Sequence, residues 1–308
     1  MNTELRNQVQ QLIERERLPE EFHTFAAQFY LPLADVIADS RHNAGRPWMV
    51  GINGAQGTGK STMAQFLQLF LEHKHHLRCA SISLDDIYLT RAERTALAAS
   101  VHPLLITRGV PGTHDLALGI SVCKQLLGAD DAAEIPIPRF DKATDDRLPA
   151  EQWTLHKGKT DVLLLEGWCI GSRPQALDAL DAPINGLESA EDPQGVWRRY
   201  VNARLHDYQQ WFAMIDQLIM LKAPSMNAIY RWRGEQEQKL AASARGNMLR
   251  IMSADQIRRF IQHYERVTTF GLTDIPPRAD LVFHLDEAHA IAHVTGPLAK
   301  ALPSYAAN

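Results

Sequence analysis

The sequence predicts an α/β fold: a doubly wound, mostly parallel sheet of five strands with helices on both faces, preceded by a helical extension. Three observations carry this. From Trp48 onward, short apolar runs alternate with longer amphipathic stretches, as strands and helices do when they alternate along a chain. Runs such as Val162-Leu163-Leu164-Leu165 are apolar without interruption, which suits strands covered on both faces. Before the break at Asn43-Ala44-Gly45-Arg46-Pro47, by contrast, Leu12, Ile13, Phe22, Phe25, Ala26, Phe29 and Tyr30 recur at helical spacing.

Taken in order, the chain divides into an N-terminal helical extension, 1–45, and a main domain, 46–308. Strands are expected over 48–52, 78–84, 161–165, 216–221 and 280–285. Between the second and third strands lies a long connection, about 85–160, punctuated by Pro103, Gly109, Pro111-Gly112, Pro136, Pro138 and Pro149 and holding a helical pattern over 114–127. The polar, turn-rich stretch 178–195 reads as a surface excursion.

Composition narrows the function classes. Thirty-two Lys and Arg against 36 Asp and Glu leave a formal net charge of -4, so no whole-molecule field draws in nucleic acid or an anionic membrane. Cys79, Cys123 and Cys169 have neither metal-ligand spacing nor the even count of a disulfide framework, which favours a reducing compartment. No apolar run approaches membrane-spanning length, and Met1 to Arg17 lacks the apolar core of a signal peptide. A cytoplasmic location and a small-molecule partner are the expectation, with neither nucleic acid nor membrane engaged. The patch His73, Lys74, His75, His76 is expected to be solvent-exposed, because no carboxylate or Cys completes a metal site.

The chemistry begins at Gly54-Ala55-Gln56-Gly57-Thr58-Gly59-Lys60-Ser61, followed by Thr62. This matches G-x-x-x-x-G-K-[ST] between an expected strand and an amphipathic helix, which is the context a P-loop requires. Glycines let the backbone N–H groups turn inward around phosphate oxygens, and the helix N-terminus adds partial positive charge. Lys60 would reach the β- and γ-phosphates of ATP, and the Ser61 hydroxyl would ligate Mg²⁺.

The acceptor side separates kinases from motors and switches. The second strand ends in Asp85-Asp86-Ile87-Tyr88, placing two carboxylates at the edge of the sheet where open α/β folds bind ligands. One of them can take the proton of an attacking hydroxyl, and either can instead cap the next helix. The third strand runs into Glu166 where a Walker-B Asp is usual; it can hold a Mg²⁺-bound water, order Lys60, or pair with a loop Arg. No N-K-x-D guanine signature occurs, which disfavours a GTPase switch.

Together with these, Arg108-Gly109-Val110-Pro111-Gly112-Thr113-His114-Asp115, Pro138-Arg139-Phe140-Asp141-Lys142, Leu165-Glu166-Gly167-Trp168 and Tyr230-Arg231-Trp232-Arg233 occur in order. The set resembles the D-glycerate 3-kinase family, which is similar to phosphoribulokinase, uridine kinase and bacterial pantothenate kinase. The resemblance runs from about Trp48 to Leu285. It implies the P-loop NTPase fold with strand order 2-3-1-4-5, an acceptor site over the P-loop, a mobile lid at about 224–250, and Asp85 in the place of the catalytic base. Some relatives carry a longer glycine-rich insert after Asp141-Lys142, whereas here Ala143 to Arg147 follow directly.

On this reading Lys60, Asp85 and Arg233 are catalytic, while Ser61 and Glu166 serve Mg²⁺. Arg108, Arg139 or Arg147 would grip the acid end of a small hydroxy acid, and Asp115 or Asp141 would accept hydrogen bonds from its hydroxyls. Asp86, Tyr88 and His114 complete the expected acceptor pocket, although Thr113 to Asp115 can equally start a helix with Thr113 as its cap. On a lid helix Arg231 and Arg233 stand about 200° apart, so only one can face a phosphate; the family's Trp-Arg pattern selects Arg233. Trp232 reads as packing. The expected function is ATP-dependent phosphorylation of a hydroxyl, D-glycerate being the leading acceptor. Nucleosides, pantothenate and sugar phosphates are alternatives, as is a non-catalytic ATP-binding regulator.

Overall fold

The computed structural model describes residues 1–243 and 252–302. At its centre is one sheet made of β1 (Trp48–Gly54), β2 (Cys79–Ser83), β3 (Val162–Gly167), β4 (Gln217–Lys222), β5 (Leu281–Leu285) and β6 (Ile291–Thr295), ordered β6-β5-β4-β1-β3-β2. β1 through β5 are parallel, and β6 runs antiparallel to β5 along the edge. The sheet therefore has six strands where five were expected. β6 escaped because Ala292, His293 and Thr295 face outward or lie half-covered, which breaks the continuous apolar run of an inner strand.

The two faces of β1 seed two cores through the period-2 alternation of a strand. Val50 and Ile52 join Leu164, Leu221 and Phe283 on one face, where the helix Lys60–His73 buries Phe66 and Phe70. Met49 joins Leu163 and Leu165 on the other, under Trp197, Tyr208 and Trp211 of the helix Val196–Phe212. Truncating either buried Phe to Ala would cost about 3–5 kcal/mol.

The extension belongs to the first of these cores. Its helix Thr3–Arg15 is capped by Asn2, whose Oδ1 accepts the Leu5 N–H at 2.9 Å, and it buries Leu5, Val9, Leu12 and Ile13. A short turn Phe22–Phe25 leads through a π-helical stretch Ala26–Tyr30 into the helix Leu31–Ala44, which ends at Gly45 in the left-handed region. Arg41 ties that last helix to Asp161 at the start of β3, and Phe22 packs tilted against Phe66 with centroids 5.2 Å apart. Nearby, Lys74 and His75 of the His-rich patch both hold Asp35.

The connection between β2 and β3 is built from helices Arg91–Ser100 and Leu116–Leu127 and two small hairpins, Glu134–Ile137 with Thr154–Lys157 and Phe140–Asp141 with Asp146–Arg147. Fully buried Arg94 binds it together, donating to the carbonyls of Leu89, Ile106 and Asp145. Asp115, not Thr113, caps the helix Leu116–Leu127 by accepting the Leu118 N–H at 3.0 Å; Thr113 closes its own turn onto Val110 and Gly109.

The stretch 178–195 is more than a surface excursion. Glu188 is fully buried and pairs two-pronged with Arg266 at 2.7 and 2.6 Å, and buried Asp192 holds Arg198. No helix among the described residues is long and apolar enough to cross a membrane.

Candidate active site

The connection from β1 runs past β3 to β2, whereas the connection from β3 runs back past β1 to β4, so the direction of winding reverses at the adjacent pair β1 and β3, and the C-terminal ends of β1, β2 and β3 border a crevice. The loop from Gly54 to Gly59 wraps the end of β1. Gly57 and Gly59 have φ of 84° and 88°, a region closed to most side chains. A Cβ on Gly54 would lie 2.4 Å from Thr58 Oγ1, which donates across the loop to the Ala55 carbonyl at 2.8 Å. The helix Lys60–His73 begins at Gly59 with no side-chain cap, leaving its first N–H groups for an anion. Ala55, Gln56 and Thr62 complete the loop and first turn.

Glu166 stands in register with Ile52 of β1 and Ser83 of β2, between the P-loop and the second strand's end. It is buried. Ser61 Oγ donates to its Oε1 at 2.9 Å, and its Oε2 is enclosed with no hydrogen-bond partner among the described residues. A loop Arg does not take it. An enclosed carboxylate oxygen without a partner is costly, and it lies beside a hydroxyl in an all-oxygen donor set. Such hard ligands fit Mg²⁺ directly or through water.

Asp85 caps nothing: the turn Leu84–Ile87 is capped by Ser83 and the next helix by Thr90. Its Oδ1 accepts from the Tyr88 hydroxyl and its Oδ2 from Lys142 Nζ at 2.6 Å. Burial alone would raise its pKa, but the Lys142 and Lys60 ammonium groups and the Tyr88 hydrogen bond outweigh that and hold it below the usual carboxylate range. Asp86 behaves oppositely. Burial raises its pKa against the pull of Arg139, which it grips at 2.7 Å while accepting the Phe140 N–H.

The other expected acceptor residues gather around Tyr88, each already partnered. Arg147 donates to the Tyr88 carbonyl at 2.8 Å and pairs with Asp115 at 3.1 Å. Arg108 pairs with Asp145 and lies over the Phe140 ring, 5.5 Å from its centroid. His114 is buried against the Tyr88 ring, 4.9 Å between centroids. Tyr208 Oη accepts the Gly112 N–H at 3.1 Å and meets His114 Nδ1 at 2.6 Å. Fully buried, the Tyr208 hydroxyl satisfies its own proton by donating it to Nδ1, which puts the imidazole proton on Nε2. That Nε2 is enclosed without a hydrogen-bond partner among the described residues. Burial lowers the pKa of His114 to about 3, so it is a neutral donor.

Two of the expected residues hold other partners. Asp141 is turned to its own hairpin, accepting from the N–H groups of Ala143 and Thr144 and from the Thr144 hydroxyl, and Asp115 caps its helix and pairs with Arg147. Lys142, Asp145 and Tyr208 enter the site instead. No sequence pattern links them to Asp85, Arg108 and His114, although Lys142 lies in the Arg139 to Lys142 block.

The helix Met226–Ser243 covers the P-loop; the expected lid continues into 244–250, which lies outside the described residues. Trp232 is buried, and its Cβ is 2.8 Å from where a Cβ on Gly57 would stand, so it packs as expected. Arg231 points to Glu287. Arg233 pairs with Glu237 at 2.8 Å and lies over the Phe260 ring. In this arrangement both guanidinium groups are engaged away from the P-loop, Arg231 by Glu287 and Arg233 by Glu237 of its own helix.

No protein-family model matches the chain. Over 247 residues it is 34% identical to an uncharacterized kinase of Schizosaccharomyces pombe, mug58, covering 78% of this chain and 86% of that one. It is 30% identical over 227 residues to the chloroplastic D-glycerate 3-kinase of Arabidopsis thaliana, covering 71% of this chain. The chain belongs to the D-glycerate 3-kinase family of P-loop kinases. This kinase spans 46% of the plant relative's length. It superposes on the D-glycerate 3-kinase of Cryptococcus neoformans var. grubii with a TM-score of 0.71 at 25% identity, over 86% of this chain and 97% of that one.

Proposed function

We propose that this kinase transfers the γ-phosphoryl group of ATP to a hydroxyl of a small hydroxy acid, with D-glycerate as the leading acceptor. The observation that carries the reading is the convergence of Lys60, Glu166 and Asp85 at the ends of three adjacent strands, with cationic side chains clustered beyond Asp85. P-loop N–H groups from Gly54 to Thr62 and Lys60 hold the phosphates. Ser61 and Glu166 hold Mg²⁺, which when bound neutralises charge on the phosphate oxygens.

Asp85, ionised at neutral pH, accepts a hydrogen bond from the acceptor hydroxyl and aims its oxygen along the line of transfer. In a loose transition state the hydroxyl proton leaves late, so a carboxylate of low basicity can still receive it. Arg108, Arg147 and Lys142 bind the carboxylate of the acceptor, with Tyr88 and the Nε2–H of His114 orienting its oxygens. Asp86 and Arg139 position the strand end through their pair. Arg233 leaves Glu237 to cover the transferring phosphoryl group as the lid closes, which also excludes water, the competing acceptor.

A panel of hydroxy acids, polyols, nucleosides, pantothenate and sugar phosphates, each tested for ADP release with purified protein, identifies the acceptor. D-glycerate is expected to give the highest kcat/KM; pantothenate in that place would keep the acid reading and change the acceptor, whereas a nucleoside or a neutral polyol would overturn the acid reading. Asp85→Asn should lower kcat by about 10²–10⁴ while ATP binding is kept. An unchanged kcat removes Asp85 from the mechanism.

A further inference from the structure

A cavity of about 610 Å³ opens beside the phosphate loop, with Gly57, Thr58, Gly59 and Thr62 on one wall. None of Asp85, Tyr88, Arg108, His114 or Arg147 lines it, so it is not the acceptor site. Its facing wall comes from the N-terminal extension, through Leu18, Phe22 and Phe25, and its third side from Ala288, His289 and Ala290 in the turn after β5. We infer that the extension is part of the phosphoryl-donor site: Leu18, Phe22 and Phe25 receive the purine base of the nucleotide against the turn after β5. The inference rests on the kinase reading above and assigns the half of the donor that the P-loop does not touch.

Continuity with the phosphate loop selects the occupant, because whatever is joined to a triphosphate cradled by Gly57 to Ser61 passes Thr62 into this space. The lining suits a flat aromatic. Phe22 and Phe25 lie 5.0 Å apart and are only half-buried, which is unusual for aromatic rings within a packed cluster. They are nonetheless held in place: Phe22 packs tilted against Phe66, and Phe25 meets Tyr30, at the end of the π-helical stretch, edge-on at 5.2 Å. The opposite turn is equally fixed. His289 adopts a left-handed φ of 66°, stacks on Trp232 with centroids 3.9 Å apart, and its Nε2 contacts the Gly57 carbonyl at 3.1 Å. Strain at a non-glycine residue persists only where the surroundings impose it, and here they lock the turn to the phosphate loop.

The test is calorimetric titration of the full chain with MgATP and, separately, with Mg-tripolyphosphate, which has the phosphates and no base. Phe25→Ala removes the extension's ring, and Ala288→Trp fills the cavity from the exposed turn without touching the extension's packing. Both are expected to weaken MgATP by about tenfold or more, the scale of a lost base–aromatic contact, and to leave tripolyphosphate within about twofold. MgATP affinity kept in both variants, or both ligands weakened alike, overturns the inference. Wild-type protein that binds neither ligand overturns the kinase reading and this assignment with it. Melting temperatures of the free variants report folding; should Phe25→Ala unfold, Ala288→Trp decides the base position and Leu18→Ala the extension's part.

Discussion

Burial makes His114 a sensor of acid in this protein, and the size of its effect follows from its pKa. In an unfolded chain His has a pKa of about 6.5, and in the fold His114 titrates at about 3. Between those values the unfolded state binds the extra proton, so stability rises with pH across the window and is lost as pH falls through it. Working the linkage from about pH 8 down to about pH 5 gives a loss of roughly 2 kcal/mol from this one group. For a chain of this length that is a drop in Tm of roughly 3 °C. His114→Asn removes the titration while keeping an acceptor toward Tyr208. Its constant cost in packing cancels when the variant is compared with itself at two pH values. His263 and His284, which burial also lowers to about 4, are present in both proteins and cancel too. Denaturant melts of both proteins at the two pH values are therefore expected to show a pH dependence smaller by about 2 kcal/mol in the variant. Equal pH dependence in the two would refute the assignment of His114 as a buried neutral donor.

Glu166→Gln should weaken MgATP binding by about 10–100-fold and leave metal-free triphosphate binding nearly unchanged, since the carboxylate's unpartnered oxygen is assigned to the ion; titrations with and without Mg²⁺ check this. Lys142→Met removes the strongest influence lowering the Asp85 pKa, so that pKa rises and the acid limb of the kcat/KM profile moves to higher pH. A pH–rate series of the variant against wild type measures the displacement, and an unmoved limb counts against Asp85 as the titrating group. Glu188→Ala leaves Arg266 buried without its carboxylate and should cost about 3–5 kcal/mol in a urea melt, with little effect on KM for ATP in protein that stays folded.

How much of this was legible depended on whether a feature is written contiguously. The P-loop is a backbone device, so its glycines, Lys60 and Ser61 sit side by side in the sequence and reveal both the strand before them and the helix after them. Buried parallel strands were legible for the same reason. β6 was not, because an edge strand with an outward face lacks the apolar run, and the pairs Glu188–Arg266 and Asp192–Arg198 were not, because a charge in a polar stretch looks solvated until its partner is located in space. The cap of Leu116–Leu127 shifted from Thr113 to Asp115 because both are good caps and only the turn at Val110 decides between them.

The acceptor half resisted reading for a reason that bears on its chemistry. Residue types were recognisable there, but their pairing is set by the folding of a long connection: Lys142 reaches Asp85, Asp145 reaches Arg108, and Asp115 reaches Arg147. Every one of these cations holds a carboxylate of the protein itself. Binding an acceptor is therefore an exchange of partners. An acid can replace an aspartate against a guanidinium and leave no cation unpaired, whereas a neutral polyol breaks the pair and supplies nothing in return. In the two arginine pairs the aspartate faces solvent more than its cation does: Asp145 is 33% exposed against 25% for Arg108, and Asp115 25% against 14% for Arg147. A site arranged this way gains little affinity from each contact and much discrimination from their sum, which is the behaviour the proposed activity on a small hydroxy acid would require.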